Sequence, residues 1–288
     1  MTLALQLVLN GLVFGALLGL VALGLALTFG VMRVVNFAHG EFITLGAYAT
    51  WALAGPAGLS PLLGIPLAFA LGAGLGWAVQ ALLLSRVAAR PSLDVLMVTY
   101  ALSVTGLGLF SLGFGGDFRS YSTGPSGDLH LGGATVGWRS LTALLVCLAL
   151  TAAVILLLRS ARIGLALRAL AQNREAASAC GINVRLSERV AFSLAVGLAA
   201  VAGALISMIG TTTPSTGHDW LLDGFVVVVI GGMGSVAGAL VSALALGLVQ
   251  SVSGYLLDDS WAQIIIYLLL YVAILVRPQG LLGQRAAL

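Results

Sequence analysis

The chain has 288 residues, of which 60% are hydrophobic and only 8% charged, with a mean hydropathy of +1.09 and a formal net charge of +3. Soluble domains carry about 25% charged residues, so the composition excludes a globule with a polar skin and leaves a membrane protein. At roughly 20 residues per crossing, the length predicts a single all-α membrane-embedded domain over residues 1–288, a polytopic bundle of about eight to nine transmembrane segments.

Residue usage narrows the chemistry further. All 13 basic residues are arginine and lysine is absent. A Walker A phosphate loop and a Schiff-base enzyme both need a lysine, so any nucleotide hydrolysis that powers this protein must sit on another chain. The three histidines, His39, His130 and His218, are scattered, and no HExxH pair exists. A metal site, a cofactor, catalytic residues and a nucleic-acid partner are therefore not expected, and the chain does not read as an enzyme. Cys147, inside a span, and Cys180, in an arginine-rich loop, are poorly placed to pair.

In chain order the apolar stretches run from Leu5 to Val31, Phe37 to Leu53, Leu62 to Leu84, Leu93 to Phe114, Leu141 to Leu158, Val190 to Gly210, Leu221 to Ile230, Val236 to Leu257 and Ala262 to Val276. The first lacks a basic leader and a small-residue cleavage site, so it reads as a retained span. Its Gly11, Gly15 and Gly19 form a ridge that lets a neighbouring helix approach closely. The short stretch Leu221 to Ile230 is either a span or re-entrant.

Arginine bias gives the orientation, because cytoplasmic loops are enriched in basic residues. With the N-terminus outside and the C-terminus inside, Arg33, Arg86, Arg90, Arg277, Arg285 and the six arginines from Arg159 to Arg189 all fall in the cytoplasm. Only Arg119 and Arg139 are left outside. They flank or lie in the sizeable outer segment Gly115 to Trp138, which reads as a solvated connector or as a landing surface for an extracytoplasmic partner.

The loop at about 159–189 is the one polar island. Within it, Ala166 to Cys180 is rich in helix formers and stops at Gly181. It is too short to span, and Arg168, Gln172 and Glu175 share one face while Ala166, Leu170 and Ala177 share another. The pattern predicts a single amphipathic helix on the cytoplasmic boundary, docked on a partner or resting on lipid headgroups.

Three segments carry a resemblance. Glu175-Ala176-Ala177, with Gly181 and Ile182 after it, resembles the first half of the EAA loop of ABC importer permeases; the distal part of that motif is missing here. Asn36-Phe37-Ala38-His39-Gly40-Glu41-Phe42, followed by Leu45-Gly46-Ala47-Tyr48, and Val227 to Ser235, followed by Gly238-Ala239, are similar to two signatures of the branched-chain amino acid ABC permeases. By length and by its first signature the chain resembles the shorter permease of such systems. The resemblance implies no chemistry on this chain but a set of partners: two ATPase subunits, a second permease, an extracytoplasmic substrate-binding protein and the lipid bilayer, at the inner membrane.

It also implies roles. Arg168, Asn173, Glu175, Ala176, Ala177 and Gly181 would couple to the ATPases, and Asn36, His39, Glu41, Gly231, Gly232, Gly234 and Ser235 would belong to the translocation path or its gate. From the residues alone, Asn36 and Glu41 read equally as helix-start groups, and the glycine run at 231–238 as a broken helix or a tight packed turn. The first signature and the glycine run both fall at the cytoplasmic side, which fits a parallel internal repeat. Branched-chain or other hydrophobic amino acids are the expected cargo; urea, short amides and other small polar solutes remain open. A secondary transporter or channel would show charged relays or a pore motif, which the sequence lacks.

Overall fold

Backbone N–H and C=O groups in an apolar medium must pair internally, which drives the chain to helix. In the computed structural model, which describes residues 2–87 and 91–283, the elements in chain order are α1 (Thr2–Met32), α2 (His39–Ala54), α3 (Pro61–Val87), α4 (Ser92–Phe114), β1 (Asp128–Leu131), β2 (Ala134–Gly137), α5 (Trp138–Ser160), α6 (Arg162–Gln172), α7 (Arg174–Ala179), α8 (Val184–Ile209), α9 (Thr216–Gly231), α10 (Val236–Leu256) and α11 (Asp259–Val276). Seven of these helices, all but α2, α6, α7 and α9, are long and apolar enough to cross a membrane. Arg90 and Arg285, assigned above to the cytoplasm, lie outside the described residues.

The two remaining apolar stretches are helical but short. α2 and α9 have 16 residues each, about 24 Å at 1.5 Å per residue, against a hydrocarbon core of about 30 Å. Their placement explains the shortfall.

At the centre lie α1 and α8, the most enclosed of the spanning helices. They run antiparallel, since Met32 and Val34 share a cavity with Glu188 at one end while Val13 and Phe14 share another with Ile206 and Ile209 at the other end. Each is flanked by a helix that approaches to backbone contact. The ridge on α1 receives α10, where a methyl group on Gly11 would lie 2.9 Å from the Leu248 Cα and one on Gly15 the same distance from the Ala243 carbonyl oxygen. On α8 the partner is α3, whose Gly72 and Gly76 sit against Val196 and Ala200.

This exchange is reciprocal: the first helix of each half packs on the third helix of the other. With α1 and α8 antiparallel, the halves α1–α4 and α8–α11 are related as an inverted repeat, not the parallel one expected. The pairing of the first signature with the glycine run was misleading because both lie at the arginine-rich end without occupying equivalent places.

The equivalent segments are the two that re-enter the bundle. After α1 ends at Met32, residues 33–38 turn back, and α2 begins beside Gly24, whose Cα faces the His39 ring and the Ala195 carbonyl. That is roughly two helical turns, about 12 Å, inside the end of α1. After α8 ends, residues 210–215 turn back from the opposite end, and the Gly217 amide donates to Thr44 Oγ1 at 3.0 Å. Both short helices therefore start in the interior, with their backbones touching at Gly40 and Gly217.

The outer segment is more ordered than a plain connector. β1 and β2 form an antiparallel hairpin, stitched to α1 by Gln6, which donates to the Thr135 carbonyl and accepts from its amide. Arg139 donates to the carbonyls of Tyr121, Ser122, Thr123 and Pro125, folding the strand-free part around one guanidinium.

The tightest crossing gives a direct test of the packing. Gly46 of α2 and Gly203 of α8 each face the other helix's backbone, at the Ala200 and Ile43 carbonyls. Gly46→Val must push α2 off α8 and is expected to destabilise the protein by about 3 kcal/mol or more, read as a lower thermal midpoint in detergent. Gly74→Ala, where nothing stands within 4 Å, should leave that midpoint unchanged.

Candidate functional site

Polar residues in the interior collect where α2 starts. Asn36, His39 and Glu41 are 2%, 0% and 6% exposed. Asn36 turns its Oδ1 onto the Ala38 amide at 3.1 Å, closing the turn that aims α2 inward. Glu41, in the first turn of α2, accepts from Ser103 Oγ of α4 at 3.0 Å. Thr99, one turn earlier on α4, accepts from the Phe37 amide at 3.4 Å, while its own proton goes to the Leu96 carbonyl at 2.9 Å, with the Val35 carbonyl at 3.4 Å the weaker alternative. The re-entrant loop is thus hooked to α4 as well as to α1.

Asn36 and Glu41 do stand at the helix start, Asn36 in the turn before α2 and Glu41 in its first turn. The Asn36 Nδ2, both His39 ring nitrogens and the Glu41 Oε2 find no hydrogen-bond partner among the described residues. Polar atoms left unpaired in a core are costly, and such atoms collected at two converging helix N-termini could exchange hydrogen bonds with a passing polar solute.

Gly231, Gly232, Gly234 and Ser235 are not part of this cluster. They form a tight turn between α9 and α10, with Gly232 and Gly234 at φ +105° and +84°, values that favour glycine. Ser235 caps α10 by accepting from the Gly238 amide at 3.1 Å. The turn packs on Gly30 near the end of α1 and is covered by the C-terminal segment, whose Leu281 and Leu282 amides donate to the Ile230 and Gly231 carbonyls. The glycine run is therefore a packed turn near the arginine-rich end; it does not break a helix in mid-span.

The polar island differs from its expected single helix. Asn173 is extended, at φ −151° and ψ 112°, and its Oδ1 caps α7 by accepting from the Ala176 amide at 2.9 Å. The run Ala166 to Cys180 is split into α6 and α7 by this cap. Gly181, at φ +81°, completes the other end of α7: its amide donates to Ser178 and that of Ile182 to Ala177. That pair of bonds is a Schellman motif, which needs a left-handed residue at the position of Gly181.

The two-faced character survives the break. Leu167, Leu170 and Ala177 are buried against Leu27 and Val31 of α1 and Ala191 and Ala195 of α8. Arg168, Gln172, Asn173, Glu175 and Ala176 are exposed on the side away from the bundle. The island is fixed to the two central helices by one face and offers the other outward.

Two cavities lie at equivalent places in the inverted halves. One, of about 210 Å³, is at the arginine-rich end, between Arg33, Val34, Val95, Arg174 and Glu188. The other, of about 780 Å³, is at the opposite end and is lined by Phe14, Asp219, Trp220, Asp223, Gln250 and Asp259 among others. Residues Thr211 to Trp220, which form the second re-entrant loop and the start of α9, are not among the site residues expected from the sequence. The signal that could have marked them is Ser215-Thr216-Gly217, a helix start with a glycine, matching Ala38-His39-Gly40.

A family model described as branched-chain amino acid transport system / permease component matches residues 7–274. Among curated relatives, the high-affinity branched-chain amino acid transport system permease protein LivH of Escherichia coli K12 is 28% identical, over 97% of this chain and 96% of its own. BraD of Pseudomonas aeruginosa, a protein of the same description, is 27% identical over 97% and 96%. A probable branched-chain amino acid transport permease LivH from Methanocaldococcus jannaschii is 27% identical over 96% and 92%. No solved structure matches. A bundle of spanning helices with an amphipathic island, matched over nearly its whole length by one family model, is a multi-pass membrane transport component and not an enzyme, and the chain belongs to the branched-chain amino acid transport system permease family.

Proposed function

We infer that this chain is one of two permease subunits of an ABC importer in the inner membrane, working with two ATPase subunits and an extracytoplasmic substrate-binding protein. Its cargo is branched-chain or other hydrophobic amino acids, the class named for its relatives. The observation that carries this reading is the family match over residues 7–274. The absence of lysine supports it, since the energy must then come from another chain.

The exposed face of α6 and α7, with Arg168, Asn173, Glu175 and Ala176, is the surface offered to an ATPase. Ala177 and Gly181 act differently: Ala177 seats α7 on the bundle and Gly181 sets its exit. ATP-driven closure of the ATPases would move the island, and through Leu167, Leu170 and Ala177 the central helices α1 and α8. Rigid-body movement of the halves about the Gly40 and Gly217 contact would then open one end as the other closes. Asn36, His39 and Glu41 sit at that pivot and serve as its gate. The turn Gly231 to Ser235, packed on α1 and the C-terminal segment, serves the path by holding α9 against α10.

Uptake of labelled leucine into proteoliposomes tests the reading, with this chain assembled with its ATPases, second permease and binding protein. Uptake should require ATP and fall at least about ten-fold in Gly181→Asp, with the assembled complex intact on size-exclusion chromatography. Leucine excluded but urea or an amide accepted would replace the cargo alone, whereas ATP-independent uptake by the isolated chain would overturn the importer.

The cap itself is separable from transport. Gly181→Ala places a side chain at positive φ, which costs about 1–2 kcal/mol. Amide exchange at positions 181 and 182 should speed up by roughly 5- to 30-fold, while the amides of α8 stay protected.

A further inference from the structure

Arg33 stands at the junction of α1 and the re-entrant loop, and its backbone is unusual. It is the only non-glycine residue at positive φ among the described residues, at +55°. A bulky side chain there is a conformational outlier, and glycine would be the easier choice. What the arginine adds is reach. Its Nη2 donates to the Ala171 and Gln172 carbonyls, both at 3.4 Å, the free carbonyl end of α6 where a positive charge is favoured.

A second polar tie lies on the other side of Asn173. Arg174, the first residue of α7, is paired with Glu188 of α8, a carboxylate that is 3% exposed. The break in the island is thus held from both sides, by Arg33 to the loop that starts α2 and by Arg174 to the first turns of α8. Arg33, Arg174 and Glu188 all line the smaller cavity.

We propose that Arg33 is a positioning residue for transport, the strut that transmits movement of the coupling island to the re-entrant loop holding Asn36, His39 and Glu41, with Arg174 and Glu188 as the matching tie to α8. This deepens the importer reading and rests on it. The apolar contacts of Leu167, Leu170 and Ala177 are non-directional, so they can carry a push but permit sliding. Hydrogen bonds at a helix end are directional and can also pull. From Arg33 the covalent path to Asn36 is three residues, and the loop between is fastened to Thr99 of α4. A displacement of the C-terminal end of α6 therefore reaches the start of α2 through the two 3.4 Å hydrogen bonds of an exposed arginine and three residues of backbone.

The variant that isolates the strut is Arg33→Gly, which removes the guanidinium and relieves the positive φ, so loss of the fold is not its expected result. Hydrogen exchange of the assembled transporter is followed with and without a non-hydrolysable ATP analogue. In the wild type, nucleotide should alter exchange both in residues 162–182 and in residues 33–41. In Arg33→Gly the response at 162–182 should persist, that at 33–41 should be lost, and uptake should fall roughly 3- to 30-fold. Arg33→Lys, which keeps the charge but not the planar donor set, should retain part of both. A response at 33–41 undiminished in Arg33→Gly, or absent from the wild type while 162–182 responds, would overturn the strut alone. No response at 162–182 in the wild type would remove the importer reading and the strut with it.

Discussion

The bundle is organised around the place where Gly40 and Gly217 bring two helix starts into backbone contact. Two helices that begin in the interior leave their first amides unpaired by the helix itself, and in an apolar surrounding those groups cannot rely on water. The structure meets that demand locally. Asn36 folds its side chain onto the Ala38 amide, the Gly217 amide finds Thr44, and the Thr213 amide finds Thr216 Oγ1 at 2.8 Å. Close approach makes these short-range solutions possible, and only glycine permits it: a methyl group on either residue would overlap the other backbone. The same logic extends to Gly24, Gly46 and Gly203, each of which faces a backbone carbonyl of a neighbouring helix. In lipid, where apolar burial does not by itself favour one helix partner over another, this surface matching is what selects the packing.

The inverted relation of the halves follows from the same pivot. Because α2 and α9 start at one spot and leave it in opposite directions, each half leaves a space at its own end of α1 and α8. Those spaces are the cavities of about 780 Å³ and 210 Å³. Their linings differ as their positions do: carboxylates and amides at the end facing away from the arginines, guanidinium groups and one carboxylate at the end bearing the island.

Much of this was legible in the sequence, and the failures have physical reasons. Composition and apolar run length report solvent, so the all-α membrane bundle could be read directly. The ridge Gly11, Gly15 and Gly19 could be read because helical periodicity is local. The break at Asn173 was hidden by strong helix formers on both sides, although asparagine before Arg174-Glu175-Ala176 is a usable cap signal. The inverted repeat was hidden for a different reason: its halves share spatial roles but hardly any residues, and the glycines that define it look like any others in a chain with 38 of them. Re-entry itself leaves only a length signal, a helix too short to cross. Leu221 to Ile230 showed that shortness, whereas Phe37 to Leu53 merged with its loop and looked like a full span.

Arg33 was legible only as one more cytoplasmic arginine, since nothing in a sequence reports a positive φ at a non-glycine residue. Its position makes sense once the demands on the loop are set side by side. The chain must reverse after Met32, return about 12 Å into the bundle and still be held to the boundary. A glycine would satisfy the reversal and nothing else. An arginine accepts some backbone strain, and its side chain reaches the terminal carbonyls of α6, which would otherwise lack partners. The strained residue and the uncapped helix end thus answer one another, and they do so where the island meets the interior junction.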